Sequence, residues 1–563
     1  MDYKGNIAKA LSAALNIDEQ AVLSWLEKPK NSEMGDVAFP CFRLSKAMRK
    51  APQQIAAELS ESLGAIDGIA KTEVVGGYLN FFANGSDIGV SILARIHKEG
   101  DSFGGSDLGG GRNVCVEFSS INIAKPFSFN HLPTTIIGNA LYRIYKFLGY
   151  NAISINHLGD WGTQFGKMIY AYKRWGDKPI DEYSVRELVT LYVRYHEESE
   201  NDKSMDDEAR AWFHRLEMGD KEAHELWQKM KDVTLREDMV VYDRLGVHFD
   251  SLNGEAFYED KMAPIIQELS DKGISKLDKG MEIVELSEWN MPPCIIVKSD
   301  GSTIYATRDL AAACYRKETY DFVKNIYVVA YQQDLHFKQF FKVLELMGRT
   351  WAKDCVHVNF GMVSMEGGTF STRHGNVIYL DDVLSAAVEK TREIIEAKSP
   401  DLEDKDEVAE AIGVGAVMFS VLYNNRIKDV SFSWEKILNF EGESAPYLQY
   451  THARCCSVLR KAGGCDFGNL DASALSDQYA SALTLLLTQF PDAVKASAEK
   501  NEPYLVSRSI VAICAAFNKF YYEQRIMDDD PKVRNARLCL TDAVRQTVKN
   551  GLYLLGLKAP ERM

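Results

Sequence analysis

The spacing of apolar residues divides the chain into a mixed beginning, an alternating middle and a helical end. In the first hundred or so residues, apolar positions such as Ile7 and Leu11 recur at helical spacing, and a strand-like stretch follows from Thr72 to Phe82. The run GGSDLGGGR at 104–112 is typical of a boundary, because glycine clusters interrupt regular structure. These patterns predict an N-terminal α+β domain of residues 1–108.

A strand, a loop, a helix and a second strand come next. Residues 113–119 alternate apolar and polar side chains, as in a half-buried strand. Apolar residues then recur at helical spacing from Ile136 to Leu148, with Gly149 where a helix would end. A short apolar strand follows from Ala152 to Ile155. Because parallel strands need a crossover of this kind, the order predicts a βαβ unit of a parallel sheet.

A charged amphipathic pattern from about 175 to 245 predicts a helical insertion. Strand patterns then return in four places, at Gly280 to Glu288, Cys294 to Ser299, Asn325 to Ala330 and Val356 to Val363. Beyond about 405, nearly all of the periodicity is helical. We therefore expect an α/β doubly wound domain of Rossmann type at 109–404, carrying the insertion, and an all-α bundle at 405–563.

Composition narrows the class of protein. Of 563 residues, 46% are hydrophobic and 26% charged, which excludes a disordered chain. A net charge of −15 argues against nonspecific coating of nucleic acid but leaves a specific RNA partner open. The N-terminus has no secretory pattern and no apolar run is long enough for a membrane span, so we expect a cytoplasmic protein without membrane contact. Ten cysteines without a CxxC pair predict reduced, structural thiols and no structural metal.

In a doubly wound sheet, the loop from the first strand into its helix is the usual phosphate site. Here it reads EFSSINIAKPFSFNHLPTT, residues 117–135. Four further segments stand out, namely HLGDWGTQFG at 157–166, STIYATRDLA at 302–311, STRHG at 371–375 and APYLQYTHAR at 445–454. With these segments the chain resembles the arginyl-tRNA synthetases, a family of class I aminoacyl-tRNA synthetases, over nearly its whole length.

The resemblance assigns a binding pocket for L-arginine. A guanidinium is a planar fork of donors, so charge-assisted pairing with carboxylates provides both energy and geometry. The residues that the resemblance implicates are Glu117, Asn122, Tyr305, Asp309 and Gln333.

The resemblance also assigns two ATP-binding signatures, and this chain departs from both. The expected His-x-Gly-His reads Ser128, Phe129, Asn130 and His131. In the second signature, expected as Lys-Met-Ser-Lys-Ser, the residues are Thr369, Ser371 and Thr372, with His374 at a place usually held by lysine. Positive charge for the phosphates is expected from Lys125 and Arg373, which with His131 are the candidate catalytic groups.

The resemblance implies an arginine–tRNA ligase. Such an enzyme activates L-arginine with ATP, as its Mg²⁺ complex, to arginyl-adenylate, and then transfers the arginyl group to the 3′ end of tRNA. It also implies a monomer. The altered first signature supports an alternative, a degenerate paralogue that binds arginine or tRNA without efficient aminoacylation.

For tRNA, the resemblance implies contacts at both ends of the chain. The N-terminal domain is expected to touch the tRNA elbow, and the helical bundle is expected to read the anticodon with aromatic side chains that can stack on bases. The residues implicated are Asn31, Phe39 and Asn80 in the N-terminal domain, and Tyr447, Tyr450 and Arg454 in the bundle.

Three further groups have simpler interpretations. His336 and His357 are expected to be packed or capping residues, because single histidines are more often structural than catalytic. The pair Asp381 and Asp382 would suit a metal, but it is better interpreted as the N-cap of the next helix.

Overall fold

The computed structural model describes residues 3–29, 31, 34–366 and 377–563. Its helices are α1 (Tyr3–Leu15), α2 (Glu19–Trp25), α3 (Ser45–Met48), α4 (Pro52–Ser62), α5 (Gly85–Glu99), α6 (Leu132–Phe147), α7 (Thr163–Trp175), α8 (Val185–Ser199), α9 (Ser204–Glu217), α10 (Lys221–Leu245), α11 (Glu259–Asp271), α12 (Tyr305–Tyr320), α13 (Asp334–Leu346), α14 (Leu380–Lys398), α15 (Lys405–Leu422), α16 (Trp434–Ile437), α17 (Ala445–Ala462), α18 (Gln478–Lys500), α19 (Tyr504–Glu523) and α20 (Pro531–Leu554). Its strands are β1 (Val37–Pro40), β2 (Ile69–Val75), β3 (Tyr78–Ala83), β4 (Asn113–Glu117), β5 (Asn151–Ile155), β6 (Ser275–Asp278), β7 (Met281–Val284), β8 (Cys294–Val297), β9 (Lys324–Ala330), β10 (Cys355–Phe360), β11 (Val363–Met365) and β12 (Val430–Phe432).

The chain forms two compact units. The first contains residues 1–103, 451–491 and 509–550. The second contains residues 104–450, 492–508 and 551–563. The helices that end the chain are thus shared between the two units.

The first unit begins with an antiparallel sheet in the order β1-β3-β2. The stretch predicted as one strand from Thr72 to Phe82 is two strands that pair with each other, because the chain reverses at Gly76, whose φ is +60°. Helices α1 and α4 contribute Ile7, Leu11 and Ile55 to the core beneath the sheet. The predicted mixed α+β character is confirmed.

The second unit is built on a four-stranded parallel sheet in the order β10-β9-β4-β5. The predicted βαβ unit is confirmed as β4, α6 and β5. The close packing of α6 on the end of β4 requires Gly138, because a Cβ there would lie 2.1 Å from the Cβ of Phe118. The helix ends as expected, with Gly149 left-handed at φ +81°.

The strand order creates a crevice beyond the carboxyl ends of β4 and β9. The connection from β4 leads to β5 on one side, while the connection from β9 leads to β10 on the other side. Such a reversal between neighbouring strands is where doubly wound sheets bind their ligands. Glu117 is the last residue of β4, and Gln333 follows the end of β9 by three residues.

Two of the strands expected in the parallel sheet lie elsewhere. β7 and β8, within the predicted stretches 280–288 and 294–299, form a separate antiparallel sheet with β6. The physical reason is the turn at Lys279 and Gly280, both at positive φ, because a two-residue turn of this hand joins antiparallel neighbours. The polar sequence of β6 carries no strand signal.

The predicted helical insertion is also confirmed, and the C-terminal part is helical as predicted except for β12, which lies within it and pairs in parallel with β11. The insertion consists of α8, α9 and α10, and α8 begins with a reciprocal capping box between Ser184 and Glu187. Helices α14 to α20 follow the sheet. Among the residues described, none of these helices is long and apolar enough to cross a membrane.

Candidate active site

The loop after β4 contains three strained residues. Ser119, Ser120 and Ala124 have φ values of +71°, +47° and +57°, the left-handed region that residues with a Cβ seldom adopt. Each such residue costs about 1–3 kcal/mol and persists only where its surroundings enforce it. Strain of this kind is frequent at functional sites, which agrees with the position of this loop at the end of β4. No sequence pattern indicated the strained backbone.

Hydrogen bonds from the helices behind the loop enforce this backbone. The Ser119 N–H donates to Oγ1 of Thr134, at 3.0 Å, and the Ser119 hydroxyl is hydrogen-bonded to the hydroxyl of Tyr242, at 2.7 Å. The Ala124 N–H donates to Oγ1 of Thr234, at 3.1 Å. Tyr242 and Thr234 belong to α10, so the insertion supports the loop directly.

Asn122 lies against the loop that contains the HLGDWG sequence. Backbone bonds join the two loops, from the Ile123 N–H to the Gly159 carbonyl and from the Gly159 N–H to the Ile121 carbonyl. A Cβ at position 159 would lie 2.4 Å from Oδ1 of Asn122, so glycine is required for this approach. In the same loop the fully buried Asp160 accepts from Lys231 Nζ at 2.5 Å.

Ser128 and His131 form a local capping arrangement. Ser128 precedes a 3-10 turn at Phe129–His131, and its N–H donates to Nδ1 of His131, at 3.1 Å. A ring whose Nδ1 accepts this bond carries its proton on Nε2. Burial lowers the pKa of His131, and the charge of Lys125 lowers it further, so the ring is neutral near pH 7. Its Nε2–H is then a donor that can serve a phosphate oxygen.

The first signature is clamped by the backbone that follows the second signature in the chain. The Phe129 N–H donates to the Ile378 carbonyl at 2.8 Å, and the Leu380 N–H donates to the Phe127 carbonyl at 2.9 Å. Ser128 and Tyr379 are paired between these two bonds. The five candidates of the second signature, Thr369, Ser371, Thr372, Arg373 and His374, lie outside the described residues.

The backbone at Asn130 does not require glycine. Asn130 is exposed and lies within the right-handed turn Phe129–His131, and its φ is not positive. The substitution of the expected glycine therefore costs nothing in backbone strain. The effect of the substitution is confined to the space that the Asn130 side chain occupies within the first signature.

Glu117 already has a partner inside the protein. Oε2 of Glu117 lies 2.5 Å from Nη1 of Arg316, an α12 residue that is 0% exposed. The guanidinium also lies 5.5 Å from the ring centroid of Tyr327 and 3.4 Å from Nδ1 of His157. A buried carboxylate and guanidinium compensate each other's charge, so this pair holds Glu117 at the end of β4. One carboxylate oxygen is thereby committed to Arg316.

Asp309 lies on the same helix, with its side chain partly buried. Its Oδ2 is 2.6 Å from Nε2 of His336, on α13. The edge of the Tyr305 ring approaches the His336 ring at 4.9 Å between centroids. Helix α12 thus presents Tyr305 and Asp309 toward α13, and Gln333 is exposed at the start of α13. All of these elements meet beyond the carboxyl ends of β4 and β9.

The three residues of the N-terminal domain that were implicated in tRNA contact differ in exposure. Asn31 is exposed, whereas Phe39 is 0% exposed within the core and Asn80 is 3% exposed. In this conformation the side chains of Phe39 and Asn80 are inaccessible to a ligand, because they pack inside the antiparallel sheet and its core.

The three residues implicated in the bundle lie on α17. Tyr447 is half-buried and Tyr450 is 39% exposed. Arg454 donates to Oδ1 of Asn518 and lies 5.0 Å from the ring centroid of Tyr521.

Sequence patterns did not reveal Arg316. It sits three residues after Ala313 and six after Leu310, both buried, so a charged residue on an apolar helical face was the available signal. His336 is packed among aromatic rings, as expected, and it also contacts Asp309. His357 is packed, with its ring stacked on Phe337 at 4.1 Å.

The acidic pair after the second signature is tied to arginines. Asp381 accepts from Arg244 at 2.6 Å, and Asp382 accepts from Arg186 at 2.5 Å. The N-cap of α14 is Tyr379, so the predicted cap position was wrong, because the acids lie in the first helical turn instead. Carboxylates are favourable there because they face the positive end of the helix dipole.

Comparisons with known proteins cover the whole chain. The family described as "tRNA synthetases class I (R), catalytic domain" matches residues 95–434, the "Arginyl tRNA synthetase N terminal domain" matches 1–83, and the "DALR anticodon binding domain" matches 448–563. A Clostridioides difficile protein named arginine–tRNA ligase is 50% identical over 564 residues, with all of both chains covered. An Alkaliphilus metalliredigens protein of the same name is 49% identical, with the same coverage.

Solved structures agree with this match. The structure of Thermus thermophilus arginyl-tRNA synthetase has a TM-score of 0.82 and 26% identity, covering 99% of both chains. Arginyl-tRNA synthetase from Plasmodium falciparum has a TM-score of 0.80 at 22% identity, covering 99% of this chain and 98% of the other. At that identity the second likeness shows the fold alone.

Proposed function

The chain belongs to the arginyl-tRNA synthetase family and is an arginine–tRNA ligase, and from that premise we propose which of its residues carry each step. The observation that supports the assignment is the convergence of Glu117, Asp309 and the first signature loop at one reversal of the parallel sheet. Carboxylates for a guanidinium and donors for phosphates are thereby brought to the same crevice.

The arginine pocket consists of Glu117, Asn122, Tyr305, Asp309 and Gln333. Asp309 is the principal partner of the substrate guanidinium, because one oxygen of Glu117 is held by Arg316. The free oxygen of Glu117 and the Tyr305 hydroxyl complete the donor and acceptor pattern. The apolar stem of the substrate packs along the Tyr305 ring.

Activation is a displacement at phosphorus. The carboxylate of arginine attacks the α-phosphate of ATP, which is used as its Mg²⁺ complex, and pyrophosphate leaves. Positive charge and oriented donors stabilise the charge that develops on the phosphates. We assign this role to Lys125, the Nε2–H of His131 and Arg373, with the neighbouring signature residues shaping the ATP site. The terminal adenosine hydroxyl of tRNA then takes the arginyl group.

The ligase accounts for the comparisons better than a binding paralogue does. Relatives that match the full length at about half identity are named arginine–tRNA ligases. The enzyme is proposed to work as a monomer in the cytoplasm. The direct test is exchange of labelled pyrophosphate into ATP, which we expect to require arginine and arginine-accepting tRNA together. Measurable tRNA binding without any exchange or charging would contradict the assignment.

The altered first signature is expected to slow activation. Restoring the family pattern with Ser128→His and Asn130→Gly adds one donor, and a single donor at such a site is worth roughly 100- to 1,000-fold in turnover. We therefore expect the double variant to raise kcat for pyrophosphate exchange while the arginine KM stays the same.

The two single variants separate the contributions. Because Ser128 also caps the turn that orients His131, thermal unfolding must show that the fold is retained. If the double variant is no faster than the parent chain, positions 128 and 130 do not limit the reaction.

The two ends of the chain are proposed to hold tRNA. Asn31 is on the surface proposed to face the tRNA elbow, and Phe39 and Asn80 are proposed to support that surface from within the domain. Tyr447, Tyr450 and Arg454 are proposed to face the anticodon. A base stacked on an aromatic ring is worth about 1–3 kcal/mol, so Tyr450→Ala is expected to raise the tRNA KM by roughly 5- to 150-fold.

The arginine KM measured at saturating tRNA should stay unchanged in Tyr450→Ala. Tyr553→Ala is the matched control, because Tyr553 is another exposed tyrosine and is 52% exposed. Equal effects of the two substitutions on tRNA would count against an anticodon contact at Tyr450.

A further inference from the structure

His336 contacts Asp309, the residue whose carboxylate is proposed to bind the substrate guanidinium. The distance from Nε2 of His336 to Oδ2 of Asp309 is 2.6 Å, and the two side chains are only 11% and 24% exposed. His336 is the partner of Asp309 within the described part of the chain. Because an enclosed carboxylate without a partner is costly, this contact stabilises the pocket.

The ring of His336 is placed by aromatic neighbours rather than by other charges. Tyr305 approaches it edge-on at 4.9 Å, Phe337 lies at 5.3 Å, and Phe340 is stacked at 6.1 Å with an interplanar angle of 8°. Apolar walls on these sides leave the ring one polar partner. The bond to Asp309 can therefore be exchanged for another without breaking a wider network.

The other titratable groups near His336 have partners of their own. On β10, His357 is hydrogen-bonded to the Val329 carbonyl at 2.9 Å and lies 3.3 Å from Asp334, which belongs to α13. Burial lowers the pKa of His357, so it adds no positive charge at neutral pH. On β8, burial raises the pKa of the Cys294 thiol to about 12. On α12, Asp309 faces His336 directly, together with the Tyr305 ring.

Arg316 and His336 differ as counter-ions. Arg316 is fully buried and stays charged at every accessible pH, so its hold on Glu117 is permanent. His336 is an imidazole, and one ring nitrogen makes its contact with Asp309. A guanidinium offers a bidentate, always charged fork, and this pairs with a carboxylate more strongly than one imidazole N–H does.

We propose that His336 is an exchangeable hydrogen-bond partner of Asp309, which the guanidinium of substrate arginine displaces. His336 thereby determines specificity, because a neutral isostere such as the ureido analogue citrulline cannot displace it. The inference rests on the proposed role of Asp309 in arginine binding.

The test is the arginine KM and kcat of His336→Gln, at saturating ATP and tRNA. Gln lacks the ring that Tyr305, Phe337 and Phe340 hold in place, so its amide binds Asp309 more loosely. We expect the arginine KM to fall on the order of tenfold, while kcat changes little. Citrulline should become a measurable competitor of arginine.

His357→Gln is the matched control, because it removes a neighbouring histidine that does not contact Asp309. It should keep the parental arginine KM. A rise in arginine KM for His336→Gln would show that His336 orients Asp309 for the substrate, and would overturn the proposal. So would citrulline binding equally to both proteins.

Failure of this inference is distinguishable from failure of the pocket. If Asp309→Asn leaves the arginine KM unchanged, Asp309 is not the guanidinium site and the proposed function of the residue fails. If Asp309→Asn raises the KM while His336→Gln has the same arginine KM as the parent chain, the pocket stands and the exchange does not. Thermal unfolding of His336→Gln with and without arginine gives a second readout, and the parental pattern should shift toward greater stabilisation by arginine.

Discussion

Asp309→Ala is expected to remove nearly all arginine binding, because a guanidinium in the pocket then lacks its main counter-charge. Bound arginine covers the part of Asp309 that is exposed in the free chain, and truncation of one partner of a charge pair desolvated in this way costs about 2–5 kcal/mol, or a rise of roughly 30- to 5,000-fold in arginine KM. The measurement is the arginine KM in tRNA charging, together with arginine binding by calorimetry. The KM values for ATP and tRNA should stay near those of the parent chain.

Asp300→Ala is a suitable control for this loss. Asp300 lies just before α12 in the chain, is exposed and bonds only within its own loop, to Ser302. The two variants remove the same group, but only Asp309 faces α13. Retention of near-parental arginine binding in Asp309→Ala would place the guanidinium elsewhere.

Arg316→Met is expected to destabilise the second unit by about 3–5 kcal/mol, because Glu117 would remain buried without a counter-charge. Glu117 is only 7% exposed, so water cannot take the place of the guanidinium. Urea unfolding should show the loss. The double variant Glu117→Gln with Arg316→Met should recover much of the stability, since removing both charges together is far less costly than removing one.

Neither variant should bind arginine normally, because the single one displaces Glu117 and the double one removes its charge. Arg349→Met serves as the comparison. Arg349 and Glu268 lie 2.6 Å apart, but their side chains are 31% and 25% exposed, so about 1 kcal/mol or less is expected. A loss for Arg316→Met no larger than that for Arg349→Met would mean that Glu117 is held mainly by other contacts.

Sequence patterns predicted those features correctly that depend on residues close to one another in the chain. The βαβ unit followed from period-2 and helical spacing around the first signature, and the glycine that ends α6 stood where the pattern placed it. The proposed arginine pocket came from matching motifs. The structure adds that Glu117, Asp309 and Gln333 reach one crevice because β4 and β9 are neighbours with opposite connections.

The features that the sequence did not predict share a cause, because each depends on a contact between residues that are far apart in the chain. Arg316 and Glu117 are separated by nearly the length of a domain, and no local rule connects them. The strands β7 and β8 carried a correct strand pattern, but pairing partners are set by the turn at Lys279 and Gly280 and by tertiary contacts. The sequence around Phe39 does not indicate whether its ring is exposed, and the structure shows that the ring is buried beneath the sheet.

Asn130 also has a consequence for how such a chain changes over generations. Its side chain is exposed and its backbone is an ordinary right-handed turn, so a codon change here escapes the selection that operates through folding and protein abundance. Gly138 is the opposite case, because any larger residue would collide with Phe118 and be removed as a misfolded protein. Selection on the residue at position 130 therefore acts only through the rate at which the enzyme charges tRNA.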